Sequence, residues 1–331
     1  MRMSVLVTGG AGYIGSHMSW ELVSRGETVV VLDDLSTGFE WALPRQAELV
    51  IGDIGDRILL DRLMKTRGID TVMHFAGSVV VPDSVADPLG YYLNNTVKSR
   101  ELIAAAVSNK VENFIFSSTA AVYGVPQTVP VGEDAPLAPV SPYGASKAMT
   151  ERMLTDAGAA YGLRSVILRY FNVAGADPEG RTGQSTLGAT HLLKVAIEAA
   201  TGQRDHVAVF GTDYDTPDGT GIRDFIHVAD LARAHSDALD HLRKDGENLV
   251  LNCGYGRGYS VLELLDAVQK VSGRPLDIRA RARRAGDIPV MIAAAEKIGA
   301  ALGWKPRYGD LETIVAHALA WEEKRVRRLA A

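Results

Sequence analysis

Ser4-Val5-Leu6-Val7-Thr8-Gly9-Gly10-Ala11-Gly12-Tyr13-Ile14-Gly15 is the stretch that decides the fold. A short apolar run with β-branched residues is followed by glycines at positions 9, 12 and 15, where a helix-period pattern begins. Glycine lets the backbone turn sharply there and approach a pyrophosphate, whose charge sits on the helix N-terminus. A tight strand-to-helix turn alone would also use such residues. The second apolar run, Thr28 to Asp33, decides between the readings because it ends in Asp33-Asp34. A carboxylate there accepts hydrogen bonds from the adenosine ribose and repels a 2'-phosphate, so the pair predicts an NAD site rather than an NADP site.

Working outward, the same rhythm continues. Further strands are expected at Ala47 to Gly52, Thr71 to Phe75, Asn113 to Ser117 and Ser165 to Tyr170. Helical stretches lie between them at Tyr13 to Arg25, Asp56 to Arg67, Leu89 to Asn109 and Tyr143 to Tyr161. The strands are almost wholly apolar, as in sheets covered on both faces. The expectation is an α/β protein: a doubly wound parallel sheet over residues 1–171, then a smaller α/β substrate domain over 172–331. The border is soft, because Asp224 to His227 and the helix pattern after it, through residue 242, could return to the first sheet. Asp53-Ile54 and Phe75-Ala76-Gly77 follow strands three and four, at the carboxyl ends where such sheets bind ligands. Asp53 could meet the adenine amino group or simply cap the next helix.

Composition excludes other classes. The 331 residues are 47% apolar and 23% charged, unlike collagen, coiled coil or disordered chain. A net charge of -5 has the wrong sign for a nucleic-acid binder. The single cysteine, Cys253, fits a reducing compartment. No long apolar run predicts a membrane span, and a cytoplasmic location is the expectation. The histidines lack metal-ligand spacing, so no metal is expected, and His74, His227 and Cys253 read as packing residues.

Ser141-Pro142-Tyr143-Gly144-Ala145-Ser146-Lys147 reads as an N-cap, a proline at the first helical position, and Tyr and Lys four apart on one face. A phenol with ordinary pKa about 10 acts as a base near neutrality only when positive charge lowers it, at about 1.36 kcal/mol per unit. Lys147 and an oxidised nicotinamide are two such charges. Ser117-Ser118-Thr119 ends the fifth strand and offers a hydroxyl to the same substrate oxygen.

These segments, with His-Phe-Ala-Gly at 74–77, Leu-Arg-Tyr-Phe-Asn at 168–172 and Asp-Gly-Thr-Gly-Ile-Arg-Asp-Phe-Ile-His-Val at 218–228, closely resemble the nucleotide-sugar 4-epimerases of the extended short-chain dehydrogenase/reductase family over nearly the whole chain. The resemblance implies epimerisation of UDP-glucose and UDP-galactose through a 4-keto sugar. Tyr143 would move the 4-hydroxyl proton, Lys147 would assist it, and Thr119 would bind the same oxygen. It adds Ser36, Thr37, Gly38, Asn95, Ser117, Tyr170 and Phe171 to the cofactor residues. It places a UDP-sugar against Asn172, His191, Leu192, Leu193, Ala208, Val209, Phe210, Arg223, Arg284 and Asp287. Related dehydratases carry an acid after the hydroxyl residue, where this chain has Ala120 and Ala121.

Two departures stand out. A lysine of many family members is replaced within Ser78-Val79-Val80-Val81-Pro82, and Met291 occupies a position near the sugar. Other readings are a 4-epimerase of UDP-xylose/arabinose, a UDP-uronic acid or a UDP-N-acetylhexosamine, and a non-catalytic dinucleotide-binding protein. The resemblance also implies a homodimer paired through Leu89 to Asn109 and Tyr143 to Tyr161.

Overall fold

The computed structural model describes residues 3–284 and 287–330. Its strands are β1 (Ser4–Thr8), β2 (Thr28–Asp33), β3 (Glu48–Ile51), β4 (Ile69–His74), β5 (Asn113–Thr119), β6 (Arg164–Tyr170), β7 (Asn172–Ala174), β8 (Val207–Phe210), β9 (Ile222–His227), β10 (Leu249–Cys253), β11 (Gly258–Ser260), β12 (Ile278–Arg281) and β13 (Val290–Met291). Seven of them form one parallel sheet in the order β10-β6-β5-β4-β1-β2-β3.

Alternate residues of these strands enter two cores. Val5, Val7, Val29 and Val31 pack with Met18 and Leu22 of the helix Tyr13–Ser24 and Leu231, Ala238 and Leu239 of the helix Val228–Arg243. Leu6, Val30, Leu32 and Phe114 face Leu60, Leu63, Leu102 and Leu154 from the helices on the other side. Two buried faces explain why these strands are apolar throughout. The chain order reverses between β1 and β4, and the resulting crevice at their carboxyl ends is where such sheets bind ligands.

The remaining elements build a smaller unit. β9 is flanked by β11 and β13 and also pairs with β7, while β8 pairs with β12. The helices Leu192–Ala200, Val261–Ser272 and Leu311–Ala330 close a third core around Leu193, Ile197, Leu264, Leu265, Ile314 and Val315. Residues 224–242 are thus divided: β9 lies in the smaller sheet, while the helix after it packs on the large one. β10 forms the large sheet's edge beside β6.

Two local differences from the sequence reading bear on the site. The stretch Leu89 to Asn109 is not one uniform helix but Pro88–Tyr91, a π-helical turn over Tyr92–Val97, and Lys98–Ser108. A π turn has no composition of its own, which is why periodicity does not reveal it. β5 also runs two residues further than expected and pairs Thr119 with Tyr170.

Candidate active site

The glycine loop closes the crevice between β1 and β4. Gly9 has φ +67°, and a β-carbon there would stand 2.5 Å from the Ala76 nitrogen. A β-carbon on Gly15 would lie 2.1 Å from the Gly9 oxygen. A side chain at either position would collide with backbone, so only glycine lets strand, loop and helix pack this closely. That tight turn into a helix N-terminus is a geometry that fits a dinucleotide's pyrophosphate. Tyr13 donates its hydroxyl to the Gly175 carbonyl at 2.7 Å, bringing the loop after β7 over this end of the helix.

Asp33 is buried, and both its oxygens accept backbone amides: Ala11 at 2.9 Å and Leu35 at 2.8 Å. Burial raises its carboxyl above the usual range against those bonds. Asp33 therefore ties the glycine loop to the end of β2, and its remaining lone pairs are those a ribose would use. Exposed Asp34 accepts both the amide and hydroxyl of Ser36, ordering the turn that contains Thr37 and Gly38. Leu35 between them has φ +58°, a strained backbone for a leucine.

Asp53 does not cap the following helix; Asp56 does so by accepting the Leu59 amide. Asp53 instead accepts Lys98 at 2.6 Å and the Gly55 amide at 2.7 Å, which hold its carboxyl low despite partial burial. Ile54 is buried behind it.

Beyond β4, Phe75 packs on the His235 ring at 4.8 Å, and Gly77 adopts φ +153° beside the Asn95 amide and the Lys147 ammonium. Asn95 lies in the π-helical turn. Its carboxamide accepts the Ser78 amide at 2.8 Å and donates to the Ser78 carbonyl and the Ser146 hydroxyl. This clamp fixes the segment Ser78–Pro82, in which Val79 is exposed.

The wall that carries the candidate catalytic residues is built on the ends of β5 and β6 and the helix Pro142–Tyr161. Ser141 caps that helix by accepting the Gly144 amide at 3.2 Å. Tyr143 is pushed up to about 12 by burial, with the Thr119 hydroxyl pulling the other way. Thr119 Oγ1 accepts the Ala121 amide at 3.2 Å, which leaves its own proton to be donated into the site. Lys147 is buried, donates to the Ser117 carbonyl at 3.0 Å and sits 5.0 Å from the Phe116 ring centre. Burial lowers its ammonium to about 8 against the opposing field of Glu151.

Three supporting features escape sequence reasoning. His74 accepts Thr8 at 2.7 Å and donates to Ser99 at 2.7 Å, because the Ser99 hydroxyl is spent on the Asn95 carbonyl. Tyr170 donates to His235, whose other ring nitrogen donates to the Leu231 carbonyl at 2.9 Å. Glu151 and Arg169 form a buried ion pair at 2.6 Å behind Lys147. The signal available for Glu151 was its place four residues after Lys147; the other partners come from distant strands.

The residues expected to hold the nucleotide sugar gather in two groups. Arg223 on β9 lies opposite Met291 and near Arg284 and Asp287, with burial lowering its guanidinium and Asp287 raising it. Arg284 donates to Asp287 at 2.9 Å and covers the half-exposed Phe210 ring at 4.7 Å, while Ala208 and Val209 precede it in β8. Asn172, His191, Leu192 and Leu193 instead line a small open pocket with Phe225, Lys194 and Trp321. Phe171 packs in a buried cluster with Ala120, Val122 and Met291.

Residues 5–254 match the NAD dependent epimerase/dehydratase family. The chain is 58% identical over 318 residues to the UDP-glucose 4-epimerase of Azospirillum brasilense, covering 96% of this chain and 91% of that protein. It is similar to the solved structure of UDP-glucose 4-epimerase from Brucella ovis in complex with NAD, with TM-score 0.93 and 45% identity over 96% of this chain and 97% of that one. The Bifidobacterium longum UDP-glucose 4-epimerase in complex with NAD+ and UDP gives TM-score 0.93 and 39% identity, covering 98% and 99%.

Proposed function

The chain belongs to the NAD dependent epimerase/dehydratase family, and from that premise we propose that it is an NAD-dependent 4-epimerase interconverting UDP-glucose and UDP-galactose. The observation that carries this reading is the grouping of Tyr143, Thr119 and Lys147 beside the glycine cradle, followed by Ala120 and Ala121 where a dehydratase would need an acid.

NAD supplies the acceptor and donor of one hydride at C4. Gly9, Gly12, Tyr13, Ile14 and Gly15 would hold its pyrophosphate, Asp33 and the Asp34–Gly38 turn its adenosine ribose, and Phe75–Gly77 with Asn95 the nicotinamide side. Thr119 donates a hydrogen bond to the 4-oxygen, and Tyr143 takes the hydroxyl proton and later returns it. The positive charge of Lys147, one helical turn away, would work against the burial that keeps Tyr143 protonated, and bound oxidised NAD would add a second. Arg223 and Arg284 suit diphosphate oxygens through their planar forks, and Asp287 suits the uridine ribose. The large sheet then carries the cofactor and the smaller unit the nucleotide sugar.

A homodimer belongs to the same reading. Leu89, Leu93 and Val97, spaced four apart, are 78%, 55% and 49% exposed, and Met149 on the neighbouring helix is also exposed. Such an apolar face suits pairing of the two helices with those of a second copy. Among the described residues no helix is long and apolar enough to cross a membrane.

The test is chromatographic separation of products after the purified protein, without added NAD, meets UDP-galactose, UDP-xylose or UDP-N-acetylgalactosamine. Conversion of UDP-galactose to UDP-glucose is expected; faster conversion of another sugar moves the assignment to that substrate. No conversion in any tube, even with NAD supplied, overturns the enzymatic reading.

A further inference from the structure

We propose that Glu151, held in place by Arg169, is a positioning residue that keeps Lys147 charged and aligned behind Tyr143. The inference rests on the proposed acid and base roles of Tyr143 and Lys147. Glu151 lies one helical turn beyond Lys147, as Lys147 lies one turn beyond Tyr143, so the three share a face. Its carboxylate is held by Arg169 from β6: Nε donates at 3.0 Å and Nη2 at 2.6 Å, and both side chains are 5% exposed. Ser118 donates to the same carboxylate.

Ser118 connects this pair to the chemistry. Its neighbour Ser117 supplies the carbonyl that receives Lys147, and its other neighbour Thr119 supplies the hydroxyl beside Tyr143. Anchoring Ser118 to Glu151 therefore fixes both groups relative to the helix that carries Tyr143 and Lys147. Arg169 is braced in turn: it donates to the Tyr123 hydroxyl at 2.9 Å and the Glu133 carbonyl at 3.2 Å, and Tyr123 donates to Asn252 at 2.7 Å. The anchor thus reaches from β6 to β10.

The charge logic points the same way. A buried ammonium loses the stabilisation of water, and an opposite charge nearby restores its preference for the protonated state. Lys147 faces the Ser117 carbonyl and Phe116 ring of β5, His74 of β4, whose burial keeps it neutral, and Glu151 of its own helix, with Tyr143 one turn back on the same helix face. Tyr170 of β6 faces Tyr143, and Tyr123 and Glu133 surround Arg169. Glu151 is the negative group in this set that opposes the effect of burial on Lys147. A pair serving only to brace helix against sheet would leave the titration of Lys147 unchanged when replaced by neutral groups of similar size.

The experiment follows the side-chain carbon resonance of Lys147 against pH in protein containing labelled lysine, assigned by its loss in Lys147→Met, together with the pH profile of kcat. In Glu151→Gln both the resonance midpoint and the alkaline limb of kcat are expected to move down by about one pH unit. If that variant fails to fold because Arg169 is left unpaired, Glu151→Gln with Arg169→Met removes both charges; the midpoint is then expected to fall in the same direction but by less, because Arg169's own repulsion of Lys147 goes with it. A folded variant whose Lys147 titrates at the wild-type pH overturns the proposal. The resonance is read without substrate, so a protein that epimerises no UDP-sugar would sink the proposed function while leaving this coupling measurable.

Discussion

Gly9 and Ala76 approach so closely that a β-carbon on Gly9 would stand 2.5 Å from the Ala76 nitrogen. The loop after β1 and the end of β4 meet there at the point where strand order reverses, and the positive φ of Gly9 adds a backbone cost to any side chain. Gly9→Ala should therefore separate the two strand ends and open the cofactor cradle. The expected outcome is purified protein without bound NAD and with lowered Tm; retention of NAD at the wild-type stoichiometry would contradict it.

Tyr143→Phe removes one hydroxyl and leaves the helix cap at Ser141 and the Lys147 contact to Ser117 in place. Loss of a positioned general base is expected to lower kcat by about 10² to 10⁴-fold. Bound NAD and Tm should stay near wild type. Full activity in this variant would show that another group moves the proton.

Lys147 gives a stability prediction with a definite sign. Its ordinary value of 10.5 is lowered by burial to about 8, so between those pH values the unfolded chain binds more protons than the folded one. Stability from this group therefore rises with pH across that window, and below it the buried charge costs about 3 kcal/mol. Lys147→Met should raise Tm at pH 7 while abolishing most activity, and its advantage should shrink as pH passes from about 8 to 10.5. Thermal melts at several pH values check this, and an advantage that grows with pH would reverse the assigned sign.

Arg223→Lys keeps the positive charge and removes the planar fork. Arg223 also donates to the Ile222 and Pro289 carbonyls at 2.9 and 3.3 Å, which aim the guanidinium beside Asp287. KM for the UDP-sugar should rise about tenfold, the equivalent of one lost charge-assisted hydrogen bond, with NAD content unchanged. Steady-state kinetics with cofactor quantification separates this from general damage.

Leu93→Glu places a charge in the middle of the exposed apolar row Leu89, Leu93 and Val97. Sedimentation should show the wild type as a dimer and the variant as a monomer of similar secondary structure. A wild type that sediments as a monomer would remove the proposed pairing.

Local chemistry made much of the fold legible. Apolar strands, three spaced glycines and Ser141-Pro142 each reflect a constraint acting over a few residues, so Ser4–Thr8, Thr28–Asp33 and the start of the Tyr143 helix match their expected bounds closely. The π turn holding Asn95 was invisible because a single wide turn spans too few residues to set a period of its own.

By itself, the sequence determined the alternation of apolar strands with helices, the glycine loop and the Tyr143–Lys147 spacing, since all three depend on near neighbours in the chain, whereas the strand order pairs distant residues such as Val5 with Thr71. Only the tertiary structure decided that Asp33 ties down the glycine loop, that Asp53 pairs with Lys98, and that Arg169 holds Glu151 behind Lys147. Those partners lie on separate elements, and a carboxylate's role depends on which donor reaches it once burial has removed water.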